Sequence, residues 1–203
     1  VKFNIEFAAA ADCATNASQA TGVTLGDTSL YVDYVYLDTD ERRRFAQTSH
    51  EYLIEQLQFT GDESLSGTNN KVKLNFNHPV KFLVWVVKED GAANFVYNNA
   101  GTPALNNVAT SKLQLNGHDR FSERSGDYFN WVQPYQCFGA SPAAGINVYS
   151  FALKPAEHQP SGTANMSRID NATLNITLIA GLTSGTAKVY AVNYNVLRIM
   201  SGM

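Results

Sequence analysis

Hydrophobic and polar residues alternate along several short stretches of the chain. Lys2-Phe3-Asn4-Ile5-Glu6-Phe7 sets Phe3, Ile5 and Phe7 on one side. Lys71 to Asn77 does the same with Val72, Leu74 and Phe76, and Ala172 to Leu178 repeats the pattern with Leu174 and Ile176. Side chains alternate across a strand, so each stretch predicts a strand with one buried face and one wetter face. Leu30–Leu37, Tyr52–Phe59, Phe82–Val87, Ile146–Leu153 and Val189–Ile199 are richer in apolar residues and predict more buried strands, with a shorter one at Leu113–Leu115. Turn formers separate them: Thr60-Gly61-Asp62, Gly67-Thr68-Asn69-Asn70, His78-Pro79, Glu89-Asp90-Gly91 and Thr183-Ser184-Gly185. Many short strands between such breakers predict an all-β sandwich or jelly roll.

Two short helices interrupt the pattern. Asp38 can cap a helix, Glu41 follows three residues later, and Asp40 and Glu41 suit the positive helix end, so a helix is expected to about Ala46. A second is expected from Asp127 to about Val132, stopped by Pro134. The rest of Gly91–Ser111 reads as a long polar surface loop.

Composition narrows the function. Hydrophobic residues make up 44% of the 203, enough for a packed core. The net charge is −3, and the arginine run Arg42, Arg43, Arg44 is balanced by Asp38, Asp40 and Glu41, so no basic stripe for nucleic acid is present. Cys13 and Cys137 are far apart and are expected as free thiols. No apolar run reaches the roughly 20 residues of a membrane-spanning helix. Val1 already reads as strand, so a missing N-terminal portion is expected, and the lack of a visible targeting signal carries little weight.

Catalytic patterns are missing. His50, His78, His118 and His158 form neither H-x-H nor H-E-x-x-H, which also disfavours a cupin-type enzyme. No G-x-S-x-G elbow, phosphate loop or G-x-G-x-x-G occurs. His118-Asp119-Arg120-Phe121-Ser122-Glu123-Arg124 reads as a salt-bridged loop, since a triad is made by spatial geometry and not by adjacency. Asn16, Asn165, Asn171 and Asn175 open N-x-S/T triplets, but Asn175 falls inside a strand and conventional glycosylation is not expected. Trp85, in an all-apolar strand, is expected in the core. No catalytic, cofactor-binding or metal-binding residue is expected.

Several ordered segments resemble the major capsid proteins of large nucleocytoplasmic DNA viruses of the iridovirus and algal-virus type. They are Leu37-Asp38-Thr39-Asp40-Glu41-Arg42-Arg43-Arg44-Phe45-Ala46-Gln47 running on through Ser49 to Gln58, then Leu74 to Lys81, Leu115 to Phe121 and Gly145 to Leu153. His158 to Thr163 and Asn165 to Ala172 extend the match. The resemblance implies a double jelly-roll protein in which residues 1–37 end the first jelly roll. Residues 38–50 would be a connector with a short helix, and 51–203 the second jelly roll. Its strands would lie near 51–59, 71–77, 80–88, 111–117, 146–153, 164–169, 172–179 and 187–199.

Such proteins form homotrimeric, pseudo-hexameric capsomers that tile an icosahedral shell over an internal viral membrane. The implied partners are further copies, neighbouring capsomers and minor capsid proteins, with no direct nucleic-acid contact, no cofactor and assembly in the host cytoplasm. The 91–111 loop would face outward. Asp38, Asp40, Glu41, Arg42, Arg43, Arg44, Glu123, Arg124, Arg168 and Asp170 are the expected interface charges, with Arg168 and Asp170 sharing one strand face. A carbohydrate-binding, lectin-like jelly roll is the alternative, because architecture does not fix function.

Overall fold

The computed structural model describes residues 2–14, 17–99 and 105–200. They divide into two compact units: Val1–Tyr52 with Ala93–Phe95 and Val196–Met203, and Leu53–Ala92 with Val96–Asn195.

Among the described residues two five-stranded sheets form a sandwich, and its main strands are β1 His50–Ser66, β2 Asn69–Leu74, β3 Pro79–Glu89, β4 Val108–Leu115, β5 Arg124–Ser125, β6 Ile146–Ser150, β7 Ala172–Leu178 and β8 Ser184–Ile199. One sheet runs in the order β1-β8-β3-β6 and the other β2-β7-β4-β5. The chain therefore crosses repeatedly from sheet to sheet, which makes this a jelly-roll β-sandwich. Two-residue pieces extend it. His118–Asp119 folds back on β4, and Ala164–Asn165 continues the edge next to β3 beyond β6. Asn98–Asn99 and Leu105–Asn106 form a small separate ribbon.

Alternation fixes which face is buried. In β7, Ala172, Leu174, Ile176 and Leu178 are buried while Thr173, Asn175 and Thr177 point outward. Leu174 stands between Val72 of β2 and Leu113 of β4, giving one apolar row across three strands. In the other sheet, Leu83, Trp85 and Val87 of β3 pair with Ala191, Val189 and Ala187 of the neighbouring β8. The small partners leave room for Trp85, which is fully buried and packs on Phe129 with ring centroids 5.1 Å apart. Close approach is built in at Gly145, where a Cβ would collide with the Tyr97 carbonyl.

Several expectations are corrected. The strands expected at Lys2–Phe7 and Leu30–Leu37 do not form; residues 2–9 and 23–38 carry no regular structure, and Phe3, Ile5 and Phe7 are exposed. Alternation makes a stretch strand-competent, but a strand exists only where a neighbour takes its backbone hydrogen bonds. Short 3-10 turns at Ala10–Cys13 and Ala17–Ala20 occupy part of this region.

The fifth strand is Arg124–Ser125, where none was expected, and Ile146–Ser150 is the sixth. The expected strand 164–169 shrinks to Ala164–Asn165, because Asn165 caps a 3-10 turn, Met166–Arg168, by accepting from the Ser167 amide at 3.1 Å. Arg168 and Asp170 thus share no strand face.

The helix near Asp127 does not stop at Pro134. A π-helical turn, Tyr128–Val132, leads into α-helix Gln133–Phe138, with Pro134 in its first turn where no amide hydrogen is needed. Part of the expected 91–111 surface loop is also buried: Asn106, Asn107, Val108 and Ser111 lie inside, and residues 100–104 lie outside the described residues.

Candidate assembly surfaces

The helix expected at Asp38 is present as Thr39–Gln47, and all nine residues are exposed. Asp38 accepts from the Glu41 amide at 2.8 Å, and the Asp38 carbonyl accepts from the Arg42 amide at 3.0 Å. Asp40 and Arg43 approach to 3.8 Å across exposed surface, a contact of small energetic weight. Arg44 contributes its carbonyl to the Thr48 amide and hydroxyl.

The other four expected charges lie in the second unit and do not form one cluster. Glu123 accepts from the Thr110 hydroxyl at 2.5 Å, and the Arg124 guanidinium lies 4.4 Å from the Tyr128 ring centroid. Arg168 and Asp170 are exposed on the turn before β7. Of the N-x-S/T asparagines, Asn165 and Asn171 are exposed, Asn175 sits within β7, and Asn16 lies outside the described residues.

The edges of the two sheets are unlike. On β2, Lys71 and Lys73 point outward between buried Val72 and Leu74, and such lysines discourage strand addition. On β1, which borders the other sheet, Leu53, Leu57 and Phe59 stand exposed, Leu57 at 67%. Phe59 stacks on Tyr190 of β8, centroids 4.7 Å apart, and so joins the edge to the outer sheet surface.

That outer surface is itself apolar. Phe82 and Val84 of β3 with Ile146 and Val148 of β6 form one wall of a groove of about 350 Å³, closed by Pro134 and Phe138. Trp131, Tyr135 and Phe138 continue the apolar surface along the helical segment, with Trp131 at 59% exposure. Residues four apart lie on one helix face, so Trp131 and Tyr135 project together. Exposed aromatic clusters of this kind mark contact surfaces.

A further feature had no signal in the sequence pattern. Lys81 of β3 is only 2% exposed, and its ammonium donates to Glu55 Oε1 of β1 at 2.8 Å and to the Glu157 carbonyl at 3.2 Å. It also lies 5.0 Å from the Tyr194 ring centroid. Burial lowers the Lys81 pKa, but the hydrogen bond and charge of Glu55, with Tyr194 beside it, outweigh burial and leave it raised. The pairing of Lys81 with a residue 26 positions earlier is a product of topology.

The family model for the large eukaryotic DNA virus major capsid protein matches residues 41–203. The chain belongs to this family. The major capsid protein of Pyramimonas orientalis virus is 55% identical over 226 residues, covering 100% of this chain and 53% of that protein. Two solved structures match at 40% identity, each covering 84% of this chain and 54% of the other. The crystal structure of PBCV-1 VP54 fitted into a cryo-EM reconstruction of the virophage Sputnik has a TM-score of 0.71, and the quasi-atomic model of the PBCV-1 virus capsid 0.69. This capsid-family chain therefore spans about half the length of the curated relatives it matches. The family is one of structural proteins and not of enzymes.

Proposed function

We propose that this chain is the C-terminal part of a shell-forming subunit. The whole protein trimerises into pseudo-hexameric capsomers, and these tile an icosahedral virion shell. In this reading, residues 1–37 end a first jelly roll, 38–50 connect, and 51–203 are the second. Its partners are further copies of itself, neighbouring capsomers and minor capsid proteins, beside an internal viral membrane, with assembly in the host cytoplasm.

The observation that carries the reading is the bare apolar surface from β1 through the outer face of its sheet to Trp131 and Tyr135. A cyclic trimer joins two different patches of each copy, so one subunit must present at least two such surfaces. Permanent interfaces of this kind bury roughly 2,000 Å² or more and are rich in apolar and aromatic side chains. The charges of 38–44, Glu123, Arg124, Arg168 and Asp170 then border the contacts and select partners. Family membership weighs against the carbohydrate-binding alternative.

The test is sedimentation of full-length protein carrying Leu57→Asp, Trp131→Asp or Arg168→Glu. The expected result is loss of assembly with Leu57→Asp and Trp131→Asp, while the thermal midpoint of the separated subunit stays near the parent's. Weakened assembly is expected with Arg168→Glu. Full assembly by all three variants would contradict the proposal.

A further inference from the structure

We propose that Asn116 is a site of spontaneous, self-catalysed deamidation, and that a hydrogen-bonded tie to Asn171 gates the reaction. Asn116-Gly117 is the only Asn-Gly step in the sequence. It forms the two-residue turn between β4 and His118–Asp119, with Leu115 opposite His118 and Gln114 opposite Asp119. Both turn residues have positive φ, 52° at Asn116 and 81° at Gly117, a conformation that asparagine and glycine tolerate best. Both are exposed. A Cβ at residue 117 would meet nothing within 4 Å, so the space beside this backbone is open.

The chemistry needs only these two residues and water. The Gly117 backbone nitrogen attacks Cγ of Asn116, and a new C–N bond closes a five-membered imide. The Cγ–Nδ2 bond breaks, and ammonia leaves with the proton that the Gly117 amide gives up. Water then opens either imide carbonyl. One product is aspartate, and the other is isoaspartate, with one extra carbon in the backbone.

The fold tethers the reacting side chain. The Asn171 amide donates to Asn116 Oδ1 at 3.0 Å, and the Asn116 amide donates to the Asn171 carbonyl at 2.7 Å. This pair of bonds fastens the side-chain carboxamide to the loop before β7. Reaction therefore requires local opening of the turn. The two products differ in consequence. Aspartate keeps an acceptor for the Asn171 amide and adds a negative charge at the turn. Isoaspartate lengthens a two-residue turn whose register depends on its length, so the tie does not re-form.

The test is peptide mapping by mass spectrometry of the full-length protein aged at mildly alkaline pH, native and in urea. A variant carrying Asn171→Pro, which lacks the donating amide, is compared. The expected result is conversion at Asn116 ahead of every other asparagine, about tenfold slower in the native protein than in urea. The variant should react faster than the native parent. If that variant fails to fold, the rate for the parent should still rise with urea below its unfolding transition. Equal rates in native and unfolded protein would overturn the gate, and an intact Asn116 in unfolded protein would overturn the site.

Discussion

Lys81 and Glu55 make a 2.8 Å ion pair in which the lysine is buried and the carboxylate is about one-third exposed. The pair ties the edge strand β1 to the centre of its sheet and, through the Glu157 carbonyl, to the loop after β6. It holds in place the strand that presents Leu57 and Phe59.

The two partners are not equivalent, because the Lys81 ammonium is buried and the Glu55 carboxylate is partly exposed. Glu55→Ala leaves a buried ammonium without its counter-charge and should cost about 3 kcal/mol in urea unfolding. Lys81→Met replaces the charge by an apolar chain of similar length and should cost about 1 kcal/mol or less. The double variant should be less destabilised than Glu55→Ala alone. A loss in the double variant equal to the sum of the two single losses would show that the pair is not coupled.

The same pair sets a pH dependence. The folded-state pKa of Lys81 is raised above its ordinary 10.5. A group whose pKa is raised by folding contributes fully below the unfolded value, and the contribution disappears as pH climbs through the folded value. Urea midpoints of the parent and of Lys81→Met should therefore converge only above about pH 10. Convergence near neutral pH would mean that the ammonium is not what stabilises the site.

Asn130 is buried and donates through Nδ2 to the carbonyls of Ala143 at 2.9 Å and Ile146 at 2.8 Å. It fastens the π-helical turn to the start of β6. Asn130→Ala leaves both carbonyls without that donor and should cost about 2 kcal/mol, read as a lowered thermal midpoint. Faster amide exchange should appear in residues 139–146.

Asp38→Ala removes the side-chain acceptor at the start of the Thr39–Gln47 helix. The expected loss is about 1 kcal/mol of local helix stability. It should appear as lost amide protection at Glu41 with the sandwich unchanged.

The sandwich core was legible because alternation is a local property. Val72, Leu74, Leu174 and Ile176 are buried as their spacing requires, and Trp85 lies in the core. The Asp38 cap was legible for the same reason, since its partner is three residues away. What stayed hidden depends on residues far apart in sequence. Arg124–Ser125 is too short to show any period and is a strand only because Thr110 and Ser111 pair with it. Lys2–Phe7 shows the period and pairs with no strand among the described residues. Pro134 reads as a helix stop until the wide turn before it makes it a first-turn residue. Among surface positions, the charges were visible but scattered, whereas Trp131, Tyr135 and Leu57 became a surface only once the helix and edge strand were placed.

The most direct test of the capsid reading is the mass of the full-length protein in solution, by light scattering on a sizing column, with electron microscopy of the same peak. A stable trimer with a hexagonal outline is expected. A uniform monomer that never assembles would contradict it.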